Sequence, residues 1–119
     1  MKIHWAEDVD PADFEAARRY LALVFPARDA NVLRDRLQRA RIERFAAKDI
    51  LRASALKLLA RSEPDVAKQL KKIDKGKPLS PLLLVRDDKR AHLIVADGFH
   101  RLCAVMSLDP NVDIPCKIA

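Results

Sequence analysis

The chain has 119 residues, half of them hydrophobic, which suits one domain with its own core. Its longest apolar run, residues 20–25, is far too short to span a bilayer, and its first residues lack the apolar region of a signal peptide. Cys103 and Cys116 do not have the spacing of a disulfide framework or a metal motif. We therefore expect a reduced, cytoplasmic protein, and the sequence predicts no metal site.

The net charge of +6 is distributed unevenly along the chain. The net charge is −2 over residues 1–27, +9 over residues 28–90 and −1 over residues 91–119. A basic middle segment is typical of proteins that attract nucleic acid, nucleotides or an acidic partner. The alternative is that it forms the solvated surface of ordinary helices.

Helices are predicted for the first half of the chain. Asp10 and Pro11 are typical of a helix start, and Pro26 ends that helix. A second helix is expected from about Asp29 to about Arg41. Residues 42–46 either extend this helix or form a short strand. A further helix is expected from residue 48 to about residue 61.

The second predicted helix has a strongly basic face. Its exposed side is formed by Arg34, Arg36, Arg39 and Arg41. These side chains could bind nucleic-acid phosphates without sequence preference. The helix lacks interleaved aromatic residues that would stack on bases, so sequence-specific binding of DNA is not expected.

Another helix is predicted to begin at Pro64 and to end at Gly76, a residue suited to the left-handed conformation after a helix. Ser62 or Glu63 would cap it. Its surface is rich in lysine: Lys68, Lys71, Lys72, Lys75 and Lys77.

The last third of the chain changes to short apolar runs. Residues 82–85 and 92–96 predict a hairpin of two buried strands, and residues 100–108 predict a helix. Residues 114–118 predict a final strand, in which Pro115 requires an edge position or a ladder position without a hydrogen bond. Together these elements predict an α+β fold with a small mixed sheet.

Most of the candidate functional residues lie in residues 97–101, between the second predicted strand and the helix predicted at residues 100–108. Gly98 is one of only two glycines, and it permits a positive φ or a close backbone approach. His100 and Arg101 follow at the start of the helix, where unpaired N–H groups favour an anion such as phosphate. Alternatively, Arg101 forms a salt bridge to Asp97 or Asp88, and His100 caps the helix or pairs with Asp97. Asp97 is a weak candidate for a catalytic base and more typically a turn residue.

The second half of the chain resembles the ParB/sulfiredoxin superfamily. It follows the order helix, Gly, Pro, strand, turn, strand and a G-x-x-R-x-x-A helix over residues 64–118. Partition proteins have G-E-R-R-x-x-A at this junction, and sulfiredoxins have G-C-H-R-x-x-A. This chain has Gly-Phe-His-Arg-Leu-Cys-Ala over residues 98–104. It also resembles small proteobacterial proteins of unknown function with an A-D-G-[YF]-H-R-x-C-A segment and an Ile-Pro-Cys ending.

The resemblance implies a phosphate site for a nucleotide such as ATP or CTP with Mg²⁺. Gly98 would allow the backbone to approach the phosphates, and His100 and Arg101 would donate hydrogen bonds to them. The facing helix would contribute Lys68, Lys71 or Lys72. However, Phe99 stands where sulfiredoxins have their catalytic cysteine and partition proteins a glutamate. Sulfinic acid reduction is therefore not expected.

Three functional hypotheses follow from the sequence. The first is a nucleotide- or phosphate-binding module with a ParB/sulfiredoxin-like core at residues 46–119 and a helical extension at residues 1–45. The second is a DNA-associated accessory or regulatory protein that uses the basic segment at residues 28–77. The third is a phosphotransfer or nucleotide-hydrolysing enzyme. An oligomer is compatible with each of them, and a membrane partner is not expected.

Overall fold

A computed structural model describes residues 2–119, in which five helices and four strands form an α+β fold. The elements are α1 (Pro11–Val24), α2 (Ala27–Arg39), β1 (Glu43–Ala46), α3 (Ala47–Ser54), α4 (Pro64–Asp74), β2 (Leu82–Asp87), β3 (His92–Asp97), α5 (Phe99–Leu108) and β4 (Asp113–Ile118). The ambiguous residues 42–46 thus contribute a short strand. The predicted hairpin of β2 and β3 and the helix that follows it are confirmed.

The four strands form one mixed sheet in the order β1-β4-β2-β3. Strand β4 pairs antiparallel with β1 and parallel with β2. Because β4 lies inside the sheet, Pro115 takes the second of the two positions expected for it, a ladder position without a hydrogen bond, and not an edge. Pro115 faces Arg44 of β1, and the pairing with β2 begins only at Cys116. The proline nitrogen thus lies outside the ladder with β2, where no N–H group is needed.

The sheet is covered by helices on both faces, and the strands show the matching period of two. Leu83 and Val85 of β2 face α1 and α2, where they join a buried cluster with Leu21 and Leu37. Leu82 and Leu84 face the opposite side and pack with α3, α4 and α5. A strand buried on both faces is expected to be continuously apolar, as the Leu-Leu-Leu-Val run is.

Helices α1 and α2 are part of the core rather than an appendage to it. Helix α1 packs against both β2 and β3, and one of the two buried clusters consists largely of α1, α2 and the strand side chains beneath them. The predicted boundary at residue 45 lies inside β1, which pairs with the final strand.

The helix predicted over residues 48–61 is shorter than expected, since α3 ends at Ser54. The Ser54 hydroxyl donates a hydrogen bond to the carbonyl of Leu51, and the amide of Leu56 donates to that hydroxyl. Ala55 then takes the left-handed conformation, with φ of 55°, which ends the helix. Local capping thus overrides the helical periodicity of the residues that follow.

The predicted starts of α1 and α4 are confirmed. The Asp10 carboxylate accepts a hydrogen bond from the amide of Ala12, and the Glu63 carboxylate accepts one from the amide of Val66. Glu63, not Ser62, is therefore the cap of α4.

None of the helices described for residues 2–119 combines the length and the apolar character needed to cross a bilayer.

Candidate functional site

The junction between β3 and α5 requires a glycine. Gly98 has a φ of 107° and immediately precedes α5, which has no side-chain cap. A Cβ atom on Gly98 would lie 2.8 Å from Nη2 of Arg101 and 2.9 Å from Cγ of Leu82. Both distances are shorter than Cβ contacts in proteins allow, so the absent side chain makes room for the arginine.

Arg101 turns back from α5 over this glycine and is almost buried, with 14% of its side chain exposed. Its Nη2 atom donates to Oδ2 of Asp97 at 3.0 Å and to the carbonyl of Pro81 at 3.5 Å, and it lies 3.6 Å from Oδ2 of Asp13. Of the two salt bridges considered for Arg101 as an alternative, to Asp97 or to Asp88, the one to Asp97 is present. All these contacts use Nη2, so Nη1 has no hydrogen-bond partner within residues 2–119.

The Asp97 carboxyl has an unusual electrostatic environment. Its burial raises the pKa above the ordinary value of 3.8, the Arg101 guanidinium opposes this effect, and the nearby Asp13 carboxylate adds to it. Burial and a second carboxylate both disfavour the ionised form. Asp97 therefore keeps its proton to a higher pH than an exposed aspartate does.

A polar cavity of about 420 Å³ adjoins this ion cluster. Its walls are residues 6–13, the 78–80 segment before β2, helix α4 and Arg101. Lys72 and Arg101 supply donors to it, and Asp13 and Gln69 supply acceptors.

Three of these side chains carry a buried polar atom without a hydrogen-bond partner in residues 2–119. The atoms are Nε of Arg101, Oε1 of Gln69 and Oδ2 of Asp13. Unpaired buried polar groups are rare in native proteins and are costly unless water or a ligand satisfies them. Their concentration around one cavity makes it the strongest candidate for a binding site.

The remaining acidic groups at the cavity are already engaged. Asp8 lies 3.5 Å from Nζ of Lys117, and the Asp10 carboxylate caps α1. The amide of Asp10 donates to the hydroxyl of Ser80 at 3.0 Å, which holds the start of α1 against the wall. Lys72 is exposed and forms no ion pair within residues 2–119. Its ammonium group is therefore available to an anion.

The structure thus brings together some of the predicted site residues and separates others. Arg101 and Lys72 line the same cavity, next to Gly98. His100 instead lies 3.9 Å from Oε2 of Glu63 and 3.9 Å from Oδ2 of Asp65, at the start of α4. Lys68 is exposed on α4 outside the cavity wall.

The two cysteines are buried and free. Burial raises the pKa of Cys103, and burial together with the Glu43 carboxylate raises the pKa of Cys116 to about 12. Both therefore stay as thiols near neutral pH and are poor nucleophiles. Phe99, at the position of the sulfiredoxin cysteine, packs against the core cluster.

The basic face of α2 is only partly available. Arg34 lies 2.9 Å from Oδ1 of Asp35 and 4.0 Å from Oε2 of Glu15. Arg36 and Arg39 of α2 are exposed, and so is Arg41, which lies beyond the end of the helix and not on its predicted basic face. None of these three arginines forms an ion pair with any of residues 2–119.

Sequence reasoning did not identify Asp13, Gln69 or residues 6–10 as parts of the site. Asp13 is typical of an acidic residue in the first turn of a helix, and no local signal marks Gln69. The N-terminal segment reaches the cavity because Trp5 forms an isolated parallel bridge with Leu79. Only the tertiary fold brings these residues together.

Comparisons with protein-family models, curated proteins and solved structures find no match to this chain.

We expect Gly98→Ala to lower the free energy of unfolding by about 2–4 kcal/mol, because it combines positive-φ strain with overpacking against Arg101. Gly76→Ala is the matched control, since Gly76 has a φ of 70° but open space around its Cβ position. It should cost about 1 kcal/mol. Urea unfolding measures the free energy of unfolding of both variants. Equal losses of stability would contradict the close contact between residue 98 and Arg101.

Asp97→Asn should change how stability depends on pH. With a raised pKa, the stabilising contribution of Asp97 is fully present below 3.8 and is lost as the pH rises through the folded-state pKa. Asparagine does not titrate, so the unfolding free energy of the wild type minus that of the variant should fall from about pH 4 to about pH 7. Urea unfolding at the two pH values measures it. A constant or rising difference would show that the pKa is not raised.

Proposed function

We propose that this protein is a nucleotide- or phosphate-binding module of the ParB/sulfiredoxin type and that its ligand occupies the cavity between α4 and Arg101. The observation that carries the proposal is that Lys72 and Arg101, from two different helices, line one polar cavity beside the Gly98 turn. Its volume of about 420 Å³ lies within the range of small-molecule sites.

The composition of the cavity favours a nucleotide over free phosphate. Nη1 of Arg101 and Nζ of Lys72 can donate charge-assisted hydrogen bonds to phosphate oxygens. Asp13 and Gln69 have acceptor atoms without a hydrogen-bond partner among residues 2–119, and their preferred ligands are hydroxyl and amino groups. A nucleotide carries phosphate, sugar hydroxyls and, in adenine, cytosine or guanine, an exocyclic amino group. Inorganic phosphate leaves the acceptor side of the cavity unsatisfied.

The start of α5 supports the same proposal. Gly98 leaves α5 without a side-chain cap, so the first amides of the helix are free of competition from a capping oxygen. The resemblance of residues 98–104 to the sulfiredoxin motif implies a phosphate-binding role for this turn. Because Arg101 also holds Asp97, its role in binding is shared with a structural one.

Binding is better supported than catalysis by these contacts. Phe99 provides no nucleophile, and both cysteines are buried thiols. Asp97, the weak candidate for a base, has one carboxylate oxygen bound to Arg101.

Titration with ATP, CTP and GTP in the presence of Mg²⁺ tests the proposal. Lys72→Gln should weaken binding about 10–100-fold, since one charge-assisted hydrogen bond contributes about 1.5–3 kcal/mol. Lys71→Gln is the matched control, because Lys71 is exposed on the same helix but outside the cavity wall. It should leave the affinity within about twofold of the wild type.

Isothermal titration calorimetry of the three proteins separates the outcomes. If the wild type binds none of the nucleotides, the proposal fails. Equal losses in the two lysine variants would assign the effect to the general charge of α4 and would remove the cavity as the site.

A second candidate function is supported by the exposed arginines at the end of α2. Arg36, Arg39 and Arg41 are unpaired within residues 2–119 and lie on the surface, where a DNA-associated accessory protein would present phosphate-binding groups.

Replacing Arg36, Arg39 and Arg41 with glutamine should reduce retention on double-stranded DNA. The magnitude of the slope of log affinity against log salt concentration should fall by about 3. A fluorescence polarisation titration at several salt concentrations measures this slope. Lys68 and Lys71 of α4, together with its C-cap Lys75, provide a control with the same change in charge. DNA binding that is absent in the wild type, or that is reduced equally by both triple variants, would exclude α2 as a specific DNA-contacting surface.

A further inference from the structure

A second cluster of ligating groups lies at the N-terminal ends of α4 and α5. Nε2 of His100 is 3.9 Å from Oε2 of Glu63 and 3.9 Å from Oδ2 of Asp65. One ligand atom from each of the three residues lies within 4.8 Å of the others. We propose that Glu63, Asp65 and His100 form a binding site for a divalent transition-metal ion of the Zn²⁺ type.

The separations require only a small closure. Ligand atoms bound to tetrahedral Zn²⁺ at about 2.0–2.1 Å are about 3.3 Å apart. The two distances of 3.9 Å must therefore shrink by about 0.6 Å, and the separation of the two carboxylate oxygens, which is at most 4.8 Å, by up to about 1.5 Å. The three side chains are 30–57% exposed and can rotate without disturbing the core.

The choice of metal follows from the donor set. One imidazole and two carboxylates suit Zn²⁺, Co²⁺ or Mn²⁺, whereas Mg²⁺ prefers ligands that are all oxygen. Three protein ligands also leave at least one coordination position for water or for an oxygen atom of a ligand. The site therefore has the composition of an open metal centre rather than a closed structural one.

The charges around the cluster favour a cation. Glu63 and Asp65 lie in the strongly basic part of the chain, yet no lysine or arginine within residues 2–119 forms an ion pair with either of them. The helix starts of α4 and α5 oppose a cation with partial charges of about half a unit each. Two full carboxylate charges outweigh these partial charges.

The capping role of Glu63 is compatible with metal binding. Its Oε2 accepts a hydrogen bond from the amide of Val66 at 2.9 Å. A carboxylate oxygen has a second lone pair, and Oε1 is also available, so Glu63 can cap α4 and bind a metal simultaneously. The cap would fix the position of this ligand before the metal arrives.

This site goes beyond the proposed nucleotide cavity, since none of Glu63, Asp65 and His100 lines that cavity. The two proposals can therefore fail separately. The Lys72→Gln variant should lose nucleotide binding and bind metal as the wild type does. The Asp65→Asn variant should lose metal binding and keep all the residues that line the cavity.

The test uses Zn²⁺ and Co²⁺ alone, without nucleotide. Zn²⁺ should raise the Tm of the wild type, and Co²⁺ should give the visible absorption of a bound ion at one equivalent per chain. Asp65→Asn and His100→Gln should each weaken binding at least tenfold, because each removes one of three ligands. Lowering the pH should release the metal, since its ligands must be deprotonated.

Asp49→Asn is the matched control. Asp49 also lies in the first turn of a helix, and its side chain is 56% exposed compared with 57% for Asp65. It should bind metal as the wild type does, and His4→Gln controls for adventitious binding by an exposed histidine. The proposal is overturned if the wild type binds no metal at one equivalent, or if Asp65→Asn binds it as tightly as Asp49→Asn does. Because Asp65 is an exposed side chain, this comparison holds even if His100→Gln does not fold.

Discussion

The ion cluster of Asp13, Asp97 and Arg101 fixes the arrangement of the elements around it. It joins the first turn of α1, the end of β3 and the first turn of α5, and the carbonyl of Pro81 adds the start of β2. A nearly buried guanidinium is tolerated only with such partners, because an unpaired charge in the interior is very costly. The buried position of Arg101 also requires a glycine at residue 98, since any side chain there would displace the arginine.

In the same cluster, Arg101 has a structural role and also lines the candidate site. Arg101 uses one terminal nitrogen to hold the fold and keeps the other without a partner within residues 2–119. The helices α4 and α5 also carry two groups of opposite charge. One has the cationic Lys72 and Arg101 facing a polar cavity, and the other has His100 between two carboxylates. The two proposed sites would place ligands of opposite charge on one pair of helices.

Local sequence signals predict much of the fold, and they fail where a distant contact decides. Pro11 and Pro64 mark helix starts correctly, because proline fits the first helical turn and an acidic residue precedes it in each case. The predicted length of α3 was wrong because the hydrogen bonds of Ser54 end the helix, although apolar residues continue at helical spacing after it. The two positions open to Pro115 could not be told apart from the sequence, because strand order is a non-local property.

The site shows the same division between local and distant information. Gly98 and Arg101 are recognisable from their spacing at a strand-to-helix junction, which is a local feature. Asp13 and Gln69 join them only after α1 and α4 have packed beside α5. Nothing in the immediate neighbourhood of either residue along the chain indicates an unpaired acceptor atom.

The order of strands also constrains how the protein is made. Strands β1 and β2 do not pair with each other, and β4 lies between them. During synthesis, the β2–β3 hairpin can form soon after it leaves the ribosome, but β1 has no partner until residues 113–118 have emerged. The sheet therefore closes only after residues 113–118 have emerged, and until then β1 and one edge of the apolar strand β2 stay unpaired and open to chaperones or to aggregation.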